Sequence, residues 1–195
     1  MFIKFPGVGP RQASRFSFFI LKEKSLVQEL ISALAGLENV SSCAQCFRTI
    51  EKTGPESLCM ICKDDRRDHS TIAVIEKEQD MQNLEKSGAY KGLYHVLDGI
   101  ISPLDSSSTK RLHLKELHAH VQKLLEEKDG CEIILATSST TEGDTTALYI
   151  DRILAPLQSR HPKLKISRLG RGLSLGSELE YADEMTLKNA LLNRK

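Results

Sequence analysis

Short apolar runs alternate with segments of helical periodicity between residues 71 and 166. The apolar runs are continuous, as in strands that are buried on both faces of a sheet. They lie at 71–75, 94–97, 131–135 and 164–166. Helical patterns lie between them, at 78–87, 112–128 and 144–158. The alternation predicts an α/β domain in which a parallel sheet is covered by helices on both faces.

The chain before this domain has a different pattern. An apolar stripe at helical spacing, with Ser25 as its N-cap, predicts a helix that ends near Gly36. The stripe consists of Leu26, Val27, Leu30, Ile31, Leu34 and Leu37. We expect this helix to pack in a core or against another subunit rather than to bind a ligand.

A glycine-containing turn precedes that helix. Gly7 and Gly9 enclose one apolar residue, and Pro10 stands where the first turn of a helix tolerates proline. The free N–H groups at such a helix start, with the helix dipole, form a site for a phosphate. Arg11 and Arg15 lie four residues apart, on one face just beyond it. The pattern predicts either a contact with the DNA backbone or an ordinary junction between a loop and a helix.

The charge is unevenly distributed, although the net charge is only +1. Residues 1–24 carry five basic side chains, Lys4 among them, and one acid, so the rest of the chain has a net charge of −3. A basic end on a mildly acidic body favours a polyanion contact at that end.

Four cysteines form two Cys-x-x-Cys pairs that are separated by twelve residues: Cys43 with Cys46, and Cys59 with Cys62. The two turns together supply the four-sulfur tetrahedral set of a structural Zn2+ site. A catalytic zinc is disfavoured, because four protein ligands leave no open position. The alternative is two disulfides. The N-terminus lacks the apolar region of a signal peptide, so we expect a reducing cytosol, which favours the metal.

The composition is that of an ordinary globular protein, with 195 residues of which 40% are hydrophobic and 27% charged. No apolar run approaches the roughly 18 residues that span a bilayer. The fifth cysteine, Cys131, opens an apolar strand and is predicted to be a core residue.

Acidic side chains follow two of the predicted strands. Glu76 comes directly after the first strand, and Glu142 and Asp144 lie beyond the third, in a predicted loop before a helix. Loops at the carboxyl ends of parallel strands meet at one edge of the sheet, where these carboxylates can bind Mg2+. The alternative is that Glu142 and Asp144 complement the N-terminus of the next helix.

Two further segments have simpler interpretations. His113, His118 and His120 share one helical stretch without a metal-binding spacing, which indicates a solvated helix face. Glycines after residue 169 predict a loop, and an apolar helix at 185–192 follows it. We expect this last helix to pack on another subunit.

The order of these features resembles the RecR family of bacterial recombination mediators along essentially the whole chain. Each matching segment is weak alone, but the collinear set is specific. The segments are the four cysteines and residues 6–10, 74–76, 102–105, 140–150 and 176–180. The resemblance implies an α/β protein in four parts. These are a helix-hairpin-helix-like region at 1–40, a zinc finger at 43–68, a Rossmann-like Toprim domain at 70–170 and an oligomerisation segment at 171–195.

The resemblance also implies a function. It implies a non-enzymatic clamp, a dimer or tetrameric ring, that binds single-stranded, gapped or duplex DNA without reading its sequence. Such a protein acts in the cytoplasm, at the nucleoid, with RecO and RecF, and helps to load RecA at single-stranded gaps. It spans no membrane.

By position, Arg11 and Arg15 match basic residues that contact DNA in this family, and Lys4 is a further candidate. The four cysteines match the zinc ligands. The acidic Toprim positions, where partner proteins dock, match Glu76, Glu142 and Asp144.

One departure from catalytic Toprim enzymes separates the possible functions. Those enzymes carry an Asp-x-Asp pair directly after the third strand, where this chain has Thr137 followed by two serines. We therefore expect a scaffold rather than an enzyme. Two alternatives remain, namely a Mg2+-dependent Toprim nuclease or nucleotidyl transferase, and a zinc-stapled adaptor that binds no DNA.

Overall fold

The computed structural model of the chain describes residues 1–55, 57–102, 105, 107–173 and 176–194. The chain forms two compact units. One consists of Met1–Ser41 and Ile50–Pro55, and the other of Ser42–Thr49 and Glu56–Lys195. Pro103 and Leu104, within the matching segment 102–105, lie outside the described residues.

The first unit is built from two helices, α1 (Pro10–Lys22) and α2 (Lys24–Gly36). Pro10 occupies the first turn of α1, as predicted, and the turn before it contains Gly7 in the left-handed region, with φ of 76°. Gly9 is the N-cap residue, and its carbonyl accepts a hydrogen bond from the N–H of Ala13 at 2.9 Å.

The predicted N-cap of α2 is wrong. A single residue, Glu23, separates the two helices, so it takes the N-cap position and Ser25 falls inside the first turn. The carbonyl of Glu23 accepts a hydrogen bond from the N–H of Leu26 at 3.1 Å. No residue of α2 is buried, so the predicted core packing of its apolar stripe is not found among the described residues.

A short hairpin carries the first cysteine pair. Strands β1 (Val40–Ser42) and β2 (Thr49–Glu51) form a two-stranded sheet. At its end the N–H of Cys43 donates to the carbonyl of Arg48 at 2.8 Å. The hairpin therefore closes around the first Cys-x-x-Cys turn.

The second unit contains the predicted parallel sheet. Its strands are β3 (Asp68–Ile75), β4 (Gly92–Val96), β5 (Cys131–Ala136) and β6 (Leu164–Arg168). They lie in the order β4-β3-β5-β6, and all three described pairings are parallel. The helices are α3 (Glu78–Ser87), α4 (Ser108–Arg111), α5 (Leu114–Glu127), α6 (Thr141–Arg160) and α7 (Glu184–Leu192).

Helices cover both faces of this sheet. On one face, Ile72 and Val74 of β3 join a large cluster with apolar residues of α5 and α6. On the other, Ala73 and Ile75 join a smaller cluster with Met81 of α3. Successive residues of a strand point to opposite faces, so β3 contributes to both cores. The prediction of a sheet buried on both faces is confirmed.

Cys131 lies in the larger cluster with 6% of its surface exposed, which confirms it as a core residue. Among the described residues, no helix is long and apolar enough to cross a membrane.

Candidate functional site

The four paired cysteines converge on one point. Their sulfur atoms all lie within 4.8 Å of one another, and each cysteine is buried, with at most 4% of its surface exposed. Backbone N–H groups donate hydrogen bonds to two of the sulfurs. The N–H of Cys59 donates to Cys43 Sγ at 3.3 Å, and the N–H of Cys62 donates to Cys59 Sγ at 3.4 Å. None of the five cysteines forms a disulfide, and the predicted four-cysteine cluster is confirmed.

The donor set fits a divalent metal. A hydrogen bond with Cys46 holds the pKa of Cys43 far below its usual range, whereas bonds with Cys43 raise the pKa values of Cys46 and Cys62 far above theirs. The cluster cannot carry four negative charges at this separation unless a cation compensates them. Four buried sulfurs with no open position match a structural Zn2+ site.

Residues 43–49 and 57–62, which carry the four cysteines and are here called the knuckle, are attached to the end of β4. The carbonyl of Cys46 accepts a hydrogen bond from the N–H of Val96 at 2.9 Å. Phe47 follows with φ of 65° and stacks on His113, with ring centroids 4.4 Å apart. The imidazole ring of His95 is in an edge-to-face arrangement with the ring of Phe47, with ring centroids 5.2 Å apart.

The interpretation of the histidines as a solvated helix face is wrong for His113 and His120. His113 is the N-cap residue of α5, and its Nδ1 donates to the carbonyl of Val96 at 3.0 Å. The Nε2 atom of His120 lies 3.2 Å from the Nε2 atom of the Gln45 side-chain amide. The knuckle covers this face of α5, which helical periodicity alone does not reveal.

A second contact joins the knuckle to α3. Glu78, in the first turn of α3, pairs with the Nη2 of Arg48 at 3.3 Å and accepts the backbone N–H of Thr49 at 3.0 Å. The knuckle is thus held on two sides of the α/β domain.

Glu76 lies at the carboxyl end of β3 and is 5% exposed. Its carboxylate accepts two hydrogen bonds from Ser138, one from the backbone N–H at 2.7 Å and one from the hydroxyl at 2.8 Å. Because β3 and β5 are neighbours, Glu76 reaches the loop after β5, as predicted. It is held there by a serine rather than by a second acid.

Glu142 and Asp144 lie in a helix, so their predicted placement in a loop is wrong. Helix α6 begins at Thr141, and Thr140 caps it by accepting the N–H of Gly143 at 3.1 Å. Both acids therefore occupy the first turn, where they complement the helix dipole. That was the alternative left open by the sequence.

Asp144 is paired with arginines. Arg171 contacts both of its carboxylate oxygens, and the Nη1 of Arg168 lies 3.3 Å from Oδ1. The hydrogen bond from Arg171 lowers the pKa of Asp144. Among the described residues, the four cysteines form the one cluster of three or more metal-ligating groups that are close enough to share an ion. The three acids do not form one, so this arrangement does not support Mg2+.

The candidate DNA-binding residues lie at the start of the chain. Arg11 and Arg15 are exposed in α1, one turn apart, and Lys4 is exposed in the single 3-10 turn before it, Phe2–Lys4. The side chains at positions 11 and 15 share one face of the helix, directly after its N-terminus.

Comparison with known proteins connects these features. The chain is 42% identical over 195 residues to a protein of Prochlorococcus marinus subsp. pastoris named recombination protein RecR, covering 99% of this chain and 91% of the relative. A protein of the same name from Dehalococcoides mccartyi is 38% identical over 194 residues, covering 98% and 89%. The chain belongs to the RecR family. The resemblance found in the sequence is confirmed, and so is the recombination role of the family to which the chain belongs.

Two family profiles divide the RecR chain at the end of the sheet. The Toprim domain profile matches residues 70–170, and the profile of the RecR C-terminal region matches residues 172–195. The first match begins within β3 and extends past β6, and the second covers α7. The predicted fold class, an α/β protein with a Toprim parallel sheet, is confirmed.

Two residues of this RecR chain that sequence reasoning missed are Ser138 and Arg171. Ser138 had a signal, because the run of Thr137 and two serines already marked the point where catalytic Toprim enzymes carry acids. Arg171 had none, since its partner Asp144 is 27 residues away in the sequence.

Proposed function

We propose that this protein is a non-enzymatic DNA clamp and recombination mediator. It acts with RecO and RecF, in the cytoplasm at the nucleoid, and helps to load RecA at single-stranded gaps. The observation that carries the proposal is the similarity over 99% of the chain to proteins named recombination protein RecR. Four features of the structure support it.

The start of α1 fits a DNA backbone. The first N–H groups of a helix have no partner within the helix, and the positive end of its dipole attracts a phosphate. Arg11 and Arg15 add two exposed guanidinium groups on one face beyond this point, and Lys4 adds an ammonium group. Contacts of this kind position a protein on DNA without reading bases.

The acids of the Toprim domain support a scaffold rather than an enzyme. Glu76 is engaged by Ser138, and Asp144 is engaged by Arg168 and Arg171. Metal-dependent phosphoryl chemistry needs carboxylates that converge on an ion. We infer that Glu142, which is exposed in the first turn of α6, belongs to a surface for a partner protein.

Exposed apolar side chains support self-association through two regions of the chain. In α1 and α2, Phe18, Leu21 and Leu34 are each more than 60% exposed. In α7, Leu191 is 63% and Leu192 is 71% exposed. Large exposed apolar patches mark interfaces. One self-complementary interface gives a dimer, and two different ones per chain allow four chains to close into a ring.

The four cysteines support a structural Zn2+ site. We infer that the metal holds the knuckle in the shape that contacts β4, α3 and α5. Its role is to fold this segment and not to take part in a reaction.

The test is sedimentation velocity of the zinc-loaded protein with gapped DNA at low and moderate salt. The parent protein should form an oligomer that takes up DNA and releases it as salt rises. The double variant R11A/R15A should bind more weakly and flatten the salt slope by about two for each bound subunit, because two phosphate contacts are lost. The matched control is K22A/K24A, which removes the same charge at the junction between the end of α1 and the start of α2.

Two outcomes count against the proposal. If the parent and R11A/R15A bind DNA with equal affinity and equal salt dependence, α1 does not contact the DNA. A monomer that ignores DNA at low salt would favour the adaptor without DNA binding.

The partner surface has its own test. Glu142→Ala should weaken the binding of RecO or RecF in a biolayer interferometry titration. Glu126→Ala, at an exposed position of α5, should not. Unchanged binding of both partners by Glu142→Ala would show that they dock elsewhere.

A further inference from the structure

One arginine connects the acidic edge of the sheet to the last helix. Arg171 lies just beyond β6. Its guanidinium group binds both carboxylate oxygens of Asp144, with 3.3 Å between Nη1 and Oδ2 and a shorter contact from Nη2 to Oδ1. Its backbone carbonyl accepts a hydrogen bond from the side-chain amide of Asn193 at 2.9 Å. Asn193 is the C-cap residue of α7, so a single residue holds the start of α6 and the end of α7.

A neighbouring arginine performs a different task. Arg168, at the end of β6, contacts Asp144 at 3.3 Å and Asp151 at 3.4 Å. Both acids lie on α6, two turns apart, so Arg168 ties the sheet to the helix that covers it. Arg171 alone of the two arginines also contacts the C-terminal segment, here defined as the described residues from Gly172 to Arg194.

The C-terminal segment has little burial to hold it in place. None of the described residues of α7 is buried, and Met185, Leu191 and Leu192 are each more than 60% exposed. A Cβ added to Gly172 would lie 3.9 Å from Ala190, so the start of the segment runs beside α7. A helix without buried side chains depends on its polar contacts for its position.

We propose that Arg171 is a latch that closes the C-terminal segment onto the acidic edge of the Toprim domain. In the closed state, its side chain is bound to Asp144 and its carbonyl to Asn193. When the ion pair opens, α7 loses its link to α6, and its exposed apolar side chains become free to take another position. The latch is an electrostatic device, so salt opens it.

The geometry sets the strength of this device. The side chains of Arg171 and Asp144 are 34% and 38% exposed, so solvent screens the pair. Two parallel hydrogen bonds between a guanidinium and a carboxylate are stronger than a single contact. Loss of the pair should therefore raise the opening equilibrium about three- to fivefold, as expected for a partly exposed ion pair. A latch of this strength opens readily, which suits a switch rather than a permanent clasp.

The test is hydrogen exchange by mass spectrometry on the full-length, zinc-loaded protein without DNA, so it does not depend on the proposed function. Arg171→Ala and Asp144→Asn should each increase exchange in α7 about three- to fivefold. The double variant should exchange no faster than either single variant, because both remove the same contact. Asn193→Ala, which breaks the other half of the latch, should have a similar effect. At high salt, the rate of hydrogen exchange in α7 of the parent protein should rise to the rate measured for Arg171→Ala.

Arg168→Ala is the matched control. It removes an arginine that also touches Asp144 but leaves Arg171 in place, so exchange in α7 should stay within about twofold of the parent. The measurement is made at two protein concentrations, because contact with another subunit would also protect α7.

Two results would overturn the proposal. They are equal exchange in the parent and Arg171→Ala, and additive effects of the two single variants.

Discussion

The side chain of Phe47 lies against the imidazole of His113, with ring centroids 4.4 Å apart and ring planes inclined by 28°. Phe47 follows the second cysteine of the four-cysteine cluster, and His113 is the N-cap residue of α5. The ring therefore connects the knuckle to the α/β domain. Its backbone has φ of 65°, a conformation that a non-glycine residue adopts only at an energetic cost.

Phe47→Ala should lower the free energy of unfolding by about 1–3 kcal/mol, because it removes a partly buried aromatic contact. Phe47→Gly should cost less than Phe47→Ala, since glycine tolerates the positive φ. Urea unfolding of the zinc-loaded protein measures both. Met60→Ala is the control: Met60 is 83% exposed in the second cysteine turn, so its change should be within about 0.5 kcal/mol. A larger loss for glycine than for alanine would contradict the role of the backbone.

Cys46→Ser should abolish stoichiometric zinc, which elemental analysis of the purified protein measures. The parent should carry about one Zn2+ per chain, because its four sulfurs form a complete set. Cys131→Ala should keep the metal, since Cys131 lies in the core of the sheet and not in the cluster. Removal of zinc with a chelator should expose Phe47 and Gln45 to exchange and proteolysis while the sheet persists. Full zinc content in Cys46→Ser would refute the assignment of this ligand.

Gly143→Ala should destabilise the protein by about 1–3 kcal/mol, because no space exists for the methyl group. A Cβ at this position would lie 2.1 Å from the carbonyl oxygen of Ser138 and 3.1 Å from Glu76 Oε1. The clash would push α6 away from the buried carboxylate. Gly170→Ala is the matched control, since a Cβ there meets nothing within 4 Å. Urea unfolding of the two variants compares them, and equal stability would show that the start of α6 moves freely.

His95 should make stability depend on pH. It is fully buried, and burial lowers its pKa to about 3 from an ordinary 6.5. Between about pH 6.5 and 3, His95 therefore binds a proton in the unfolded chain but not in the folded chain. The stabilisation is complete above about pH 6.5 and is lost as the pH falls from there towards 3. Between about pH 7 and 5.5 the loss should be about 1 kcal/mol.

Urea unfolding at the two pH values measures this loss, with zinc content checked at each. His95→Phe should flatten the dependence, although His120, whose pKa is also lowered by burial, keeps part of it. His118→Phe, at a partly exposed position of α5, should leave it unchanged. A parent whose stability is the same at both pH values would contradict the assignment.

Much of this protein follows from local sequence pattern. The strands, the helices between them and the parallel arrangement follow from periodicity, because a strand that is buried on both faces must be apolar at successive positions. The four-cysteine cluster follows from spacing, because two Cys-x-x-Cys turns supply the four sulfurs of a tetrahedral metal site. Proline in the first turn of α1 follows from its missing N–H group.

Tertiary structure decided the contacts between residues that are distant in the sequence. Glu76 binds Ser138 only because β3 and β5 are neighbours, and Asp144 binds Arg171 only because the chain returns past α6 after β6. His113 does not face solvent as predicted, because Phe47 of the knuckle packs against its ring. Periodicity reports which side of an element avoids water, but it does not identify the partner that covers that side or the polar group that a carboxylate meets.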